Sequence, residues 1–214
     1  MFKNRKKAYA YLLKVDYSLT DAEGSAVLVP IDSAEYAYVF SAKHTFGKDS
    51  DEQSEKGYHK INIGNIDENN VILKHPNGTK FEVLKVLNLI DDIKIDLIVF
   101  QIKKDEYIKK LSSLYIYEDS FQIALAYGYP SMKKEDTAPY QAFLGTYKPI
   151  DLKNKFELNL KDFSNIHENQ NTHTYVEGLS GAGVFVEDTR QEEIYLAGVV
   201  VNSGDGNTVK CIEI

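Results

Sequence analysis

The sequence predicts an all-β fold of antiparallel strands, and three observations carry that expectation. Short runs rich in β-branched and aromatic residues recur along the chain, broken by Gly, Asn, Asp and Pro. Between two such runs stands His75-Pro76-Asn77-Gly78-Thr79-Lys80, and Asn77–Gly78 is a strong signal for a tight hairpin turn. The 214 residues, 43% of them hydrophobic, suffice for a sizeable core in one domain or two small fused ones. Regular short strands with turn signals fit a barrel or a sandwich, and periodicity alone does not choose between them.

The expected strands of the first half are Ala8–Tyr17, Gly24–Val29, Tyr36–Ser41, His59–Ile63, Val71–Lys74, Phe81–Leu89 and Asp96–Ile102. A charged, less regular stretch follows Ile102 and marks the passage to the second half, so the expected division is 1–115 and 116–214. Strands resume at Gln122–Tyr127, Gln141–Tyr147, Phe156–Leu160, Gly183–Val186, Tyr195–Val201 and Thr208–Ile214. About six strands in each half is what two packed antiparallel barrels need. There is no internal repeat and no low-complexity stretch. Asn77–Gly78–Thr79 is also a glycosylation sequon, but the turn explains it sufficiently.

Charge and composition narrow the function classes. With 25 basic and 32 acidic residues the net charge is −7, which speaks against a nucleic-acid partner needing a basic face. The single cysteine, Cys211, rules out an intrachain disulfide and favours a reducing, cytoplasmic compartment. Lys3, Arg5, Lys6 and Lys7 precede a short apolar run, but Lys14 and Asp16 interrupt it and no small-residue cleavage site follows. No stretch has the length of a bilayer span, so no membrane partner is expected.

Three segments carry chemistry. In Gly178-Leu179-Ser180-Gly181-Ala182-Gly183 a serine sits between glycines ahead of an apolar strand. A nucleophilic serine needs a tight turn that exposes Oγ and turns backbone N–H groups toward a developing oxyanion, and glycines permit such turns. Taken alone, the segment fits a plain Gly/Ser turn equally well. In Tyr36–Thr45 a strand runs into the small-residue turn Ser41-Ala42 and then His44, a residue type suited to general base work near neutral pH; an isolated histidine here would read as a strand-end residue. Asp96 opens the apolar run Leu97-Ile98-Val99-Phe100, where a partly buried carboxylate requires a partner. A strand-capping aspartate in a loop already containing Asp91 and Asp92 is the plain alternative.

Taken together, the order His44, Asp96, Ser180 resembles the chymotrypsin-like (trypsin-like) serine peptidases, of the bacterial intracellular type. SAKH at 41–44, DLIVF at 96–100 and GLSG at 178–181 are similar to that family's three active-site segments, and GSAVLV at 24–29, GYP at 128–130 and LAGVVV at 196–201 extend the likeness from about Tyr11 to Cys211. The resemblance implies two packed antiparallel six-stranded β-barrels, the first carrying His44 and Asp96, the second Ser180. It implies a serine endopeptidase acting on a protein or peptide substrate through an acyl-enzyme, with the N–H groups of Gly178 and Ser180 as the oxyanion hole. Thr174 falls at the base of the implied primary pocket and Val201, Asn202 and Ser203 along its wall, pointing to a neutral preferred residue.

The sequence also departs from the family pattern. Leu179 stands where digestive relatives carry an acidic residue that pairs with a newly cut N-terminus, so activation by N-terminal insertion is not expected. Val201 occupies the position of a serine that supports the aspartate. The likeness to trypsin-like components of bacterial defence and conflict systems adds an expected regulatory protein partner. A pseudopeptidase that binds peptides or proteins without cutting them is the alternative. Because many relatives end in a helix, the stop at Ile214 suits a piece of a longer protein. His167 and His173 lack zinc-ligand spacing, and the acidic run Asp49–Glu52 reads as a solvated loop, so neither metal nor cofactor is expected.

Overall fold

The computed structural model describes residues 2–19, 22–32, 35–46, 66–87, 95–130, 140–161, 178–204 and 207–214. The expected strand His59–Ile63 lies outside them, as do Asp49–Glu52, His167, His173 and Thr174.

The described residues of the first half form β1 (Leu12–Tyr17), β2 (Ala22–Pro30), β3 (Tyr36–Ser41), β4 (Val71–Lys74), β5 (Lys80–Phe81), β6 (Val83–Leu87) and β7 (Ile98–Lys103). They lie side by side in the order β5-β4-β1-β2-β3-β7-β6, every pair antiparallel. The expected single strand Phe81–Leu89 is two strands, broken at Glu82; residues 88 and 89 are not described. The break has a tertiary cause. β5 pairs with β4 through Leu73↔Phe81, whereas β6 pairs with β7 through Leu87↔Val99, with a bulge between Val83 and Lys85. One bent segment thus changes partners and brings the two ends of the sheet together, as bulges and bends do at barrel corners. Counted once, it leaves six strands in a nearly closed barrel.

A second correction concerns Ala8–Tyr17. Its first residues belong to α1 (Arg5–Ala10), and the strand starts at Leu12. Ala8-Tyr9-Ala10-Tyr11 alternates like a strand, but alanine has the best intrinsic helix propensity and Ala8 is buried under the short helix. The helix is tied to the other half of the molecule: the Glu187 carboxylate accepts the Lys3 and Asn4 amide N–H groups, and Lys7 Nζ lies 2.9 Å from Glu193.

The second half forms β8 (Ile123–Gly128), β9 (Gln141–Pro149), β10 (Lys155–Leu160), β11 (Gly183–Asp188), β12 (Glu193–Ser203) and β13 (Thr208–Glu213). These close into a barrel in the order β10-β13-β12-β11-β8-β9, with β9 returning to β10. Side-chain alternation sorts them between two cores. Ala124, Ala126, Val184 and Val186 point into the barrel with Phe143, Phe156 and Leu158. Leu125, Tyr127 and Phe185 point the other way and join Leu13, Val27, Leu28 and Phe100 in a core shared with the first barrel. Strands buried on both faces explain why GVFV and LAGVVV are continuous apolar runs rather than alternating ones. The three chemistry-bearing segments meet where the two barrels come together.

Candidate active site

β3 ends at Ser41, and the chain turns through buried Ala42 into a 3-10 turn, Lys43–Phe46, that carries His44. Phe46 anchors this turn in the core against Phe100 and Tyr17. Asp96 precedes β7 between Ile95 and Leu97, which pack in a small apolar cluster with Ala42, Val201 and Ile212. Its carboxylate is almost fully buried, with 2% of the side chain exposed, and accepts two hydrogen bonds from one residue. His44 N–H donates to Asp96 Oδ1 at 2.8 Å, and His44 Nδ1 lies 2.6 Å from Asp96 Oδ2. A carboxylate only accepts, so Nδ1 carries the proton. In the neutral imidazole Nε2 is then the acceptor, and Ser180 O–H donates to it at 2.9 Å.

Ser180 lies in a turn whose backbone is fixed from both barrels. Leu179 is fully buried in the second barrel's core. Ala182 N–H donates to the Leu179 carbonyl at 2.7 Å, and Gly181 N–H to Val200 at 2.7 Å, which stitches the turn to β12. Since N–H and C=O of a trans peptide point in opposite directions, the Ser180 N–H faces out of the turn. Among the described residues, neither the Ser180 nor the Gly178 amide donates to an internal acceptor. Gly181 has φ +89, and a Cβ there would stand 1.8 Å from the Ser25 carbonyl oxygen, so only glycine fits.

The structure therefore brings His44, Asp96 and Ser180 into one hydrogen-bonded chain, with Gly178 two residues before the serine. Val201 is buried against Ala42 and Ile212, and Asn202 and Ser203 are half-buried at the end of β12. Thr174 is outside the described residues. The residue that sequence reading missed is Ser25. It sits in GSAVLV, which reads as strand, yet its polar atoms grip the Ser180 turn across the barrel boundary: Ser25 N–H donates to the Ser180 carbonyl at 2.9 Å, and Ser25 Oγ to the Gly178 carbonyl at 2.8 Å. Among the described residues no cluster of three His, Cys, Asp or Glu side chains could hold a metal ion, and no helix is long and apolar enough to cross a membrane.

Two antiparallel barrels with this connectivity are the fold of the chymotrypsin-like serine proteases. Among solved structures, the chain is similar to the thermostable serine protease AL20 from an extremophilic microorganism, with a TM-score of 0.62 at 13% identity over 97% of this chain and 92% of that one. It is also similar to the Rv3671c protease in its inactive form, with a TM-score of 0.58 at 13% identity over 99% of this chain and 87% of that one. An inactive-form serine-to-alanine mutant of Rv3671c, from M. tuberculosis H37Rv, gives a TM-score of 0.58 at 12% identity over 99% and 85% of the two chains. At such identities the likeness is one of fold. No family model and no curated protein matches the chain.

Proposed function

We propose that this chain is a serine endopeptidase that cleaves a protein substrate through an acyl-enzyme, with His44, Asp96 and Ser180 as its catalytic triad. The observation that carries the reading is the continuous chain Ser180 Oγ–His44 Nε2 at 2.9 Å and His44 Nδ1–Asp96 Oδ2 at 2.6 Å. Ser180 Oγ attacks the scissile carbonyl while His44 takes its proton and then delivers it to the leaving amine. Asp96 holds the productive tautomer and stabilises the imidazolium. The Gly178 and Ser180 N–H groups serve as the oxyanion hole, supported by the outward direction of the Ser180 amide. The segments 1–115 and 116–214 act as the two domains, meeting at the site. A protein partner controls access or reactivity, within a bacterial defence or conflict system, and the buried single thiol of Cys211 suits a cytoplasmic setting.

Labelling with a fluorophosphonate, followed by peptide mapping, tests this reading. The label is expected on Ser180. Ser180→Ala and His44→Ala should each lower turnover by about 10⁶-fold, and the double variant should be no worse than either. A label mapped to another residue, or one that survives Ser180→Ala at the native rate, overturns the assignment.

A further inference from the structure

We infer that Ser25 is a positioning residue that sets the orientation of the Gly178–Leu179 peptide and so holds the oxyanion-binding turn in register with the first barrel. The inference rests on the reading of Ser180 as nucleophile. Ser25 is fully buried in β2 and belongs to the first barrel. All three of its polar groups are engaged. Its N–H takes the Ser180 carbonyl at 2.9 Å, its carbonyl accepts Ser41 O–H at 2.7 Å, and its hydroxyl donates to the Gly178 carbonyl at 2.8 Å.

The hydroxyl has a second partner that fixes its direction. Tyr129 N–H donates to Ser25 Oγ at 2.8 Å. One hydroxyl carries one proton, so with the Tyr129 amide occupying a lone pair, the Ser25 proton is committed to the Gly178 carbonyl. This assigns a purpose to Gly128-Tyr129-Pro130, at the end of β8. A Cβ on Gly128 would lie 2.5 Å from Ser25 Oγ and 2.7 Å from the Ala182 Cβ, so glycine is what lets the backbone come close enough to donate. The chain Tyr129 N–H to Ser25 Oγ–H to Gly178 C=O thus starts in the second barrel, passes through the first and returns to the second beside the nucleophile.

The geometry gives Ser25 a role beyond packing. Leu179 C=O fixes the Leu179–Ser180 peptide, and the Ser180 carbonyl and Gly181 N–H together fix the Ser180–Gly181 peptide, whereas among the described residues the Gly178 carbonyl is held by Ser25 Oγ. Without that hydroxyl the Gly178–Leu179 peptide is released next to a glycine at φ +86, where peptide rotation meets little steric resistance. The register of the two barrels is thereby linked to the turn, so a partner that shifts one barrel against the other changes reactivity at Ser180 without touching it.

Ser25→Ala and Ser25→Cys test this on two independent readouts. Backbone hydrogen exchange reads the hold on the turn whether or not the chain is reactive. In Ser25→Ala the Gly181 and Ala182 amides should lose at least about tenfold in protection while Val184 and Val186, in the same barrel, keep theirs. The fluorophosphonate labelling rate reads the consequence. It should fall about 10- to 100-fold, less than removal of an oxyanion donor costs, with its pH dependence unmoved because His44 is untouched. Ser25→Cys, close in size with a weaker donor, should fall between alanine and the native chain on both readouts, and it takes over the test should the alanine variant not fold. Unchanged protection of Gly181 and Ala182 overturns the inference, and so does lost protection with native labelling. A label on the native chain that maps to a residue other than Ser180 instead overturns the nucleophile assignment, and exchange still decides whether Ser25 holds the turn.

Discussion

Replacing Asp96 by Asn removes one acceptor while leaving the size of the side chain unchanged, and the contacts of Asp96 determine which acceptor is lost. Both carboxylate oxygens accept from His44: Oδ1 from the backbone N–H at 2.8 Å and Oδ2 from Nδ1 at 2.6 Å. A backbone N–H only donates, so the carboxamide oxygen must stay at the Oδ1 position. The NH₂ group then faces Nδ1, which must become the acceptor, and the imidazole proton moves to Nε2 opposite Ser180. That tautomer offers no lone pair for the serine proton. Restoring the productive tautomer sets two donors against each other in a nearly fully buried place. It forfeits a charge-assisted bond and leaves a donor unsatisfied, together about 3–6 kcal/mol. This corresponds to a loss of about 10²- to 10⁴-fold in rate, and Ser-His-Asp triads on this protease fold sit at the upper end. The assay is the second-order rate of fluorophosphonate labelling at pH 7.5 beside a thermal melt. The melt should stay within a few degrees of native, because the bond to the His44 backbone survives. A labelling rate within threefold of the native chain would refute the argument that Asp96 sets the tautomer.

Three further predictions concern the scaffold. Gly181→Ala places a Cβ 1.8 Å from the Ser25 carbonyl oxygen at φ +89, so urea unfolding should show a loss of about 3 kcal/mol or more; a native midpoint would mean the turn is built differently. His75 is buried, and burial holds its pKa below the ordinary histidine value. Asn77 N–H donates to its Nδ1 and Tyr107 O–H is committed to the Ala10 carbonyl, so Nε2–H donates to the Tyr107 oxygen and the ring is held neutral. The unfolded chain therefore binds a proton that the folded chain refuses, and stability should fall as pH drops below about 6.5. Denaturation at pH 7.5 and 5.5 should show a larger loss for the native chain than for His75→Gln, and parallel losses would remove His75 from the account. Trimming residues 1–7 removes buried Phe2 and the bonds to Glu187 and Glu193; the melting temperature should drop and labelling of Ser180 should not rise, an outcome that labelling gained only on trimming would reverse.

Much of the fold was legible in the sequence for local reasons. Tyr36–Ser41 and Val71–Lys74 coincide with β3 and β4, since both are short β-branched or aromatic runs with polar breaks at their ends. What was not legible depends on partners far away in the chain. The alternation at Ala8–Tyr11 suits a strand as well as a single helical turn, and docking onto the second barrel through Glu187 and Glu193 favours the helix. The break at Glu82 arises because one segment serves two neighbours, which no local pattern reports. At the site, none of His44, Asp96 and Ser180 was persuasive by its own segment; their chain order joined them. Ser25 escaped because its hydroxyl partners stand 153 and 104 residues away, and a serine within an apolar strand has no local sign of such a role.

The N-terminus and Leu179 together bear on control. In the digestive pattern an acidic residue before the nucleophile is held by a new N-terminus, so cleavage orders the turn. Here that place is taken by Leu179, whose side chain is fully buried among Ala182, Phe143 and Val184 in the second barrel's core. Hydrophobic burial, worth about 1.5–3 kcal/mol for a leucine, anchors the turn without any terminus. The N-terminal amides of Lys3 and Asn4 are meanwhile engaged by Glu187, near the far end of β11 from the turn. Glu187 lies four positions along β11 from Gly183, a span of roughly 13 Å. Residues 3–7 therefore hold the β11–β12 hairpin at the end away from the Ser180 turn. Among the described residues the backbone of the turn is held from outside its own barrel by Ser25, at the junction of the barrels.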